Sequence, residues 1–206
     1  MGAMNRRNFL FGPVFAAFLA TAAAAEGPIP ISAISDYLNA MTTVKGGFTQ
    51  INPDGTISTG TLYIKRPGQM RFEYDPPDPA LVMAGGGAIA IFDGKSNEPP
   101  QQFPLKRTPL SVILEKNVDL SRANMITGVT SDENSTTVTA QDPENPDIGH
   151  IDLKFTSDPV ELRQWIVTDE AGSQTTIILG TMETGLTLGA SLFSVQLEQM
   201  NRKTTR

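Results

Sequence analysis

The sequence predicts a mainly β fold with an α cover, in which a strongly curved antiparallel sheet of about 10–11 strands lies beneath two helical segments. From residue 47 onward, short runs of alternating apolar and polar residues recur between Gly- and Pro-rich turn signals. One amphipathic segment precedes these runs and another interrupts them. A sheet that is apolar on its concave side needs a cover, which the two segments can supply.

Residues 1–25 have the pattern of a cleavable export signal, with Arg6-Arg7, an apolar run and a small-residue stretch ending at Ala25. Paired arginines followed by Phe9-Leu10 favour the twin-arginine route, and general secretion is the alternative. The apolar run falls short of the ~20 residues that span a bilayer. Cleavage would leave a single domain, residues 26–206, in the periplasm.

Composition excludes several classes of function. Removal of Arg6 and Arg7 takes the formal net charge from −6 to −8, and no basic stripe follows, so nucleic acid is not an expected partner. The absence of cysteine excludes disulfides, a cysteine nucleophile, thiolate metal sites and a lipid anchor on this chain. The mature chain can bury one substantial core, and we expect a monomer.

The first helix is predicted over Ser32–Val44, because Ile34, Leu38 and Met41 recur at helical spacing. The second is predicted over Pro109–Leu114, with Thr108 as its N-cap and Pro109 at its first position. Turn signals such as Asp54-Gly55, Pro67-Gly68 and Asp93-Gly94 divide the intervening strands into a meander. The later strands are predicted at Met125–Thr130, Thr136–Ala140, His150–Phe155, Leu162–Asp169, Thr175–Leu179 and near Leu192–Leu197.

Alternation places Ile151, Leu153 and Phe155 on one face of a strand, and Leu62 and Ile64 on one face of another. The pattern alone fits an ordinary sheet-and-helix core as well as a sheet that encloses a cavity.

Several motifs together resemble the LolA family of periplasmic lipoprotein carriers. They are Gly47-Phe48-Thr49-Gln50, Gly60 through Arg66-Pro67-Gly68, Met70-Arg71-Phe72, the strand near Leu81-Val82, and Thr108-Pro109-Leu110. The resemblance implies an unclosed antiparallel β-barrel with helices capping its mouth, and an apolar space that takes the acyl chains of a lipoprotein. Met70 stands where the family usually has an aromatic residue.

The resemblance also implies the site residues. The cavity candidates are Phe48, Leu62, Ile64, Met70, Phe72, Leu110, Ile113, Leu114 and Trp165. Adaptable thioether side chains suit an irregular apolar guest, so Met70, Met83, Met125 and Met182 are further candidates, with core packing as the alternative for each.

Arg66 is the polar candidate, because a guanidinium carries five donors and keeps its charge when buried. The resemblance implies that Arg66 points to the cavity mouth and donates to backbone carbonyls around Leu114 or Glu115, holding a lid shut. An ion pair with Glu73 or Asp75 is the alternative.

The residues give catalysis little support. His150 is the only histidine, no serine lies in a nucleophile elbow, and the acidic loop around Asp142 lacks EF-hand spacing, so no enzyme, metal or cofactor is expected. The implied partners are acylated lipoproteins, an inner-membrane lipoprotein-releasing ABC transporter and an outer-membrane acceptor. A lipid-binding or sensing module of the same fold is the alternative, and a secreted hydrolase is a third.

Overall fold

The computed structural model of the protein describes residues 27–77, 80–95 and 98–204, so the predicted export signal at residues 1–25 lies outside the described residues. The strands are β1 Thr43–Ile51, β2 Ile57–Lys65, β3 Gln69–Tyr74, β4 Leu81–Gly85, β5 Ala88–Phe92, β6 Gln101–Pro104, β7 Ile126–Ser131, β8 Ser135–Ala140, β9 Gly149–Ser157, β10 Val160–Asp169 and β11 Gln174–Thr184. The helices are α1 Ile31–Ala40, α2 Ser111–Leu114 and α3 Val195–Thr204.

All the strands of the described residues belong to one antiparallel sheet, in the order β6-β5-β4-β3-β2-β1-β11-β10-β9-β8-β7. β6 and β7 are its two edges, so the sheet is not closed. Pairing of β1 with β11 joins the early meander to the late one, with Phe48 opposite Leu179. The predicted fold class and strand number are confirmed.

Gly60 in β2 lies where neighbouring groups leave no room for a side chain. A Cβ atom there would lie 2.0 Å from the Glu73 carbonyl oxygen and 2.8 Å from the Phe48 ring. Gly47 on the neighbouring strand has room, because its nearest atom would be 3.9 Å away.

The concave face carries the main core. The inward residues of β8, β9 and β10 are fully buried, among them Phe155 and Trp165. α1 lies over them and buries Ile34 and Leu38 completely. The predicted faces of Leu62 with Ile64, and of Ile151 with Leu153 and Phe155, are confirmed.

α1 ends earlier than predicted. The helix stops at Ala40, and Thr43 and Val44 already belong to β1, opposite Lys65 and Ile64 of β2. β-branched residues favour strands, and two neighbouring strands are available here to satisfy the backbone.

α2 is also shorter than predicted, and the predictions of Thr108 as its N-cap and of Pro109 as its first residue are wrong, because the helix begins at Ser111. A 3₁₀ turn at Leu105–Arg107 precedes it, and the Thr108 hydroxyl donates to the Leu105 carbonyl at 2.9 Å. Further hydrogen bonds between residues i and i−3, such as Val112 N–H to Pro109 O, continue this tight winding. The single α-helical turn begins at Ser111.

The C-terminal prediction is wrong as well. Instead of a strand near Leu192–Leu197, a 3₁₀ turn at Ala190–Phe193 leads into α3. This segment covers the opposite, convex face of β4 and β5, where Val195 packs on a second cluster of Leu81, Met83, Ala90 and Phe92. Met83 is therefore not part of the concave lining, because its position in β4 directs it to the other face.

Candidate functional site

The predicted lining residues come together in one apolar cluster on the concave face. Phe48, Leu62, Ile64, Met70, Phe72, Ile113, Leu114 and Trp165 are buried in it, and Leu110 packs at its margin. The aromatic rings meet edge to face, with centroids of Phe48 and Phe72 5.0 Å apart and those of Phe72 and Trp165 6.4 Å apart. Met70 and Met125 are members of the same cluster, and Met182 packs against it.

This cluster is packed by the protein's own side chains. Leu38 of α1 and Ile113 of α2 are as buried as the sheet residues beneath them. Beneath the helices, these lining residues are therefore covered by the helices' own side chains, and a guest that reaches them must displace side chains of α1 and α2.

Arg66 lies at the corner between β2 and β3, where it contacts both helical covers. Its Nε and Nη2 donate to the Glu115 carbonyl just after α2, at 3.1 and 2.6 Å. Its Nη1 donates to the Leu38 carbonyl, and Nη2 also donates to Asn39 Oδ1 at 3.2 Å. Burial lowers the pKa of the guanidinium, which the nearby Glu115 carboxylate opposes. An arginine remains charged in such a site.

The Leu38 carbonyl has no intrahelical partner, so the Arg66 guanidinium supplies the donor that it lacks. It lies in the last turn of α1, where helix carbonyls lack intrahelical partners and carry the negative end of the dipole. A cation donating there satisfies the carbonyl and the dipole together.

The backbone of the same corner adds one more bond to the cover. Gly68 N–H donates to the Leu114 carbonyl at 2.9 Å, and Gly68 has a φ of +71°, a conformation that favours glycine. The alternative pairing of Arg66 is not what the structure contains, since Glu73 instead accepts from Arg71 at 2.6 Å. The hydrogen bonds of Arg66 go to carbonyl and amide oxygens.

An open, mostly apolar pocket of about 510 Å³ lies beside α2, and Arg107, Asp169 and Glu170 also line it. One wall is the concave side of β4–β6 and the other includes Val167 of β10, with Pro109 and Leu110 along the cover. Ile91 and Phe103 in the first wall are 38% and 47% exposed. The volume is within the range of about 300–1,000 Å³ that is usual for small-molecule sites.

Sequence reasoning missed most of this pocket. Of the predicted site residues, Leu110 lines it. The alternation of Ile89 and Ile91 in a short run after a glycine turn was the available signal, and Phe103 joins them because it pairs opposite Ile89.

The described residues contain no group of three or more Asp, Glu or His side chains that could hold a metal ion. His150 lies on β9, 3.9 Å from the Asp152 carboxylate and partly exposed. Within residues 27–77, 80–95 and 98–204, the helices are all too short or too polar to cross a membrane.

Comparison with known proteins gives one family. The family described as "Outer membrane lipoprotein carrier protein LolA" matches residues 39–196. An outer-membrane lipoprotein carrier protein of Methylococcus capsulatus is 24% identical over 180 residues, covering 80% of this chain and 82% of the relative. An uncharacterized protein of Rickettsia prowazekii is 28% identical over 98 residues, or 48% of this chain and 46% of that protein.

Among solved structures, a LolA superfamily protein from Nitrosomonas europaea aligns with a TM-score of 0.43 and 9% identity, covering 81% of this chain and 98% of the other. MucB aligns with a TM-score of 0.43 and 13% identity, covering 82% of this chain and 64% of that one.

Proposed function

Because the chain belongs to the LolA family, we propose that it is a periplasmic carrier that binds the acyl chains of lipoproteins released from the inner membrane and delivers them to the outer membrane. It works by binding and release, without catalysis. The observation that carries this proposal is the apolar concave face, closed by two helical covers that are both hydrogen-bonded to Arg66 near their C-terminal ends.

The cargo sets the scale of the task. Burying one methylene group contributes about 0.8 kcal/mol, so a chain of roughly sixteen carbons exposed to water is unfavourable by about 12 kcal/mol. A carrier that held the chain with all of this free energy would never release it.

The packed interior allows release, because the carrier's own side chains compete with the acyl chain for the apolar lining. In the empty carrier, the lining is already covered by residues such as Ile34, Leu38 and Ile113. Each side chain that a guest displaces forgoes about 1.5–3 kcal/mol of burial, and opening the covers also breaks the hydrogen bonds of Arg66. Both costs are recovered when cargo leaves, so closure of the covers favours delivery.

The open pocket gives the acyl chains a place to begin. Ile91 and Phe103 are exposed apolar residues continuous with the concave core through Ile89 and Leu110. A chain end that enters here is shielded in part before α2 moves. In this scheme the pocket is the entrance and the covered core is the final site.

The first experiment identifies the cargo. The protein is purified from the periplasm of the source cells, extracted, and analysed by mass spectrometry for bound lipids and lipoproteins. Recovery of acylated lipoproteins is expected. Recovery of no acylated molecule, with equal extraction of a known lipid-binding protein as the control, would contradict the proposal.

The second experiment separates a carrier from a binding or sensing module. A loaded, labelled lipoprotein is mixed with outer-membrane vesicles, and transfer of the label from the soluble protein is followed. We expect transfer to outer-membrane vesicles and little transfer to protein-free vesicles. Stable binding without transfer to either would leave the lipid-binding module as the function.

A further inference from the structure

We propose that Asn39 is a positioning residue that joins α1 to the segment following α2, so that the two helical covers open and close as one unit. The proposal concerns the unloaded protein, and its consequence for cargo rests on the proposed function. Asn39 lies in the last turn of α1 and shares its Oδ1 with Arg66.

The side-chain amide of Asn39 pairs with the backbone of Val118 in both directions. Its Nδ2 donates to the Val118 carbonyl at 2.8 Å, and its Oδ1 accepts from the Val118 N–H at 2.9 Å. The two residues are 79 positions apart in sequence. The pairing therefore links two parts of the chain that the sheet does not hold together.

Ser35 makes a second link one helical turn earlier. Its hydroxyl accepts from the Leu120 N–H at 3.2 Å and donates to the Ile31 carbonyl at 3.0 Å. Because positions 35 and 39 lie on one face of a helix, α1 presents two polar side chains to Val118 and Leu120 of the same segment.

The Ser35–Leu120 link is buried, whereas Asn39 is itself exposed and reaches inward to a buried backbone at Val118. Val118 and Leu120 are 2% and 1% exposed, and Ser35 is 8% exposed. A buried backbone N–H that loses its partner is not readily compensated by solvent. Both acceptors belong to α1, so movement of α1 away from this segment removes them at once, and the links to Val118 and Leu120 are expected to break together.

Arg66 holds this unit at two places. Its guanidinium donates to Leu38 and Asn39 on α1 and to Glu115 on the following segment. If α1 and the segment were independent, each could leave Arg66 separately. With Asn39 and Ser35 joining them, release of Arg66 frees a single body, which is a hinge-like opening with two discrete states.

Hydrogen exchange of the unloaded, full-length protein tests this coupling directly. In Asn39→Ala, the Val118 amide loses its own acceptor and must exchange faster. Coupling further predicts that the Leu120 amide, whose acceptor Ser35 is unchanged, exchanges roughly tenfold faster. Asp36→Ala is the matched control, since Asp36 is exposed on the same helix, and it should change neither amide.

Ser35→Ala provides the reciprocal measurement, which remains decisive even if Asn39→Ala does not fold. It should accelerate exchange at Val118, whose acceptor Asn39 is intact, by roughly tenfold. Acceleration confined to the amide that lost its acceptor, in either variant, would overturn the coupling.

The cargo readout is separate. Each of the two variants should load a labelled lipoprotein as the wild type does and deliver it more slowly, because the empty closed state is less favoured. If exchange is coupled as described and wild type binds no acylated cargo, the proposed function fails and the coupling stands. If wild type delivers cargo and exchange is uncoupled, the inference about Asn39 fails alone.

Discussion

At the scale of single residues, Arg66 does what a lysine or a neutral side chain could not. Its planar fork reaches carbonyls from two helical covers at once, and it keeps its charge where burial lowers its pKa. The covers hold the apolar lining closed, while Arg66 sets how strongly they are held. Under the proposed function, binding and release would therefore depend on different chemical groups.

Replacement of Arg66 by Leu tests this division. Each charge-assisted hydrogen bond lost removes about 1.5–3 kcal/mol from the closed, empty state, whereas the apolar lining is untouched. The variant should fold, load a labelled lipoprotein normally and transfer it to an acceptor roughly tenfold more slowly or worse.

Arg163→Leu is the matched control, because Arg163 is a nearly half-exposed strand arginine that pairs with Glu161. It should transfer cargo as the wild type does. Normal delivery by Arg66→Leu, or failure to bind cargo at all, would reject the latch mechanism even with the fold intact.

Gly60 is a residue-scale constraint on the sheet itself. Gly60→Ala places a methyl group against the Glu73 carbonyl and the Phe48 ring, so β2 and β3 must separate locally. We expect a loss of about 2–3 kcal/mol in the free energy of unfolding, measured with urea. Gly47→Ala, with room for its methyl group, should change it little; equal losses would show that the close packing at Gly60 is unimportant.

At the scale of elements, a group of charged side chains joins α3 to the convex face. Glu198 accepts from Arg71 at 3.2 Å and from Arg202 at 2.8 Å, and Arg202 lies 4.9 Å from the centre of the Phe92 ring. Arg71 also donates to the Leu192 carbonyl at 3.1 Å. The Arg71 and Glu198 side chains are largely buried, so each depends on the other.

Glu198→Ala should therefore destabilise the protein by about 1.5–3 kcal/mol, because it removes the largely buried carboxylate that pairs with Arg71 beneath α3 and leaves the partly exposed Glu73 as the remaining carboxylate partner. Urea unfolding measures this loss. Glu161→Ala is the control, since the Arg163–Glu161 pair has a similar distance of 3.4 Å and is nearly half exposed, and should cost less than about 1 kcal/mol. Similar losses for both would mean that burial does not strengthen the pair with Arg71.

At the scale of the whole molecule, the two faces of the sheet carry different elements. The concave face carries the main core, the covers and the open pocket, whereas the convex face carries α3 and the second apolar cluster. Exposed isoleucines occur on both faces, so the faces can be compared directly. Ile91 lines the pocket, and Ile178 lies opposite Thr49 on the convex side.

Ile91→Asp and Ile178→Asp form a matched pair, because the two side chains are 38% and 40% exposed. Ile91→Asp should weaken binding of a fluorescent acyl-chain probe roughly tenfold or more, since about 1.5–3 kcal/mol of apolar contact is lost and a charge is added. Ile178→Asp should leave affinity unchanged. Equal affinities of the two variants would show that the pocket is not on the path of the chain.

The sequence was sufficient where structure is set locally. Alternation and turn residues predicted the concave faces of β2 and β9, because side chains of a strand alternate whatever lies above them. Helical spacing predicted that α1 buries Ile34 and Leu38. The Pro67-Gly68 corner beside Arg66 likewise follows from residues that are adjacent in the chain.

Contacts between distant residues decided what the sequence alone could not. Residues 195–204 contain few apolar side chains, and α3 depends on Glu198 meeting Arg71, which lies 127 positions earlier. Met83 faces away from the predicted lining because its pairing opposite Arg71 places it on the convex face of β4, which α3 then covers.

The candidate site was likewise determined in part by the sequence and in part by tertiary contacts. Composition, periodicity and the motif around Arg66 determined the fold class and the residue to examine. Only tertiary structure brought Leu38, Asn39 and Glu115 to its guanidinium and left Ile91 and Phe103 open beside α2. Local pattern records which face of an element is apolar. Which distant group then covers that face, or leaves it exposed, depends on how the whole sheet curves.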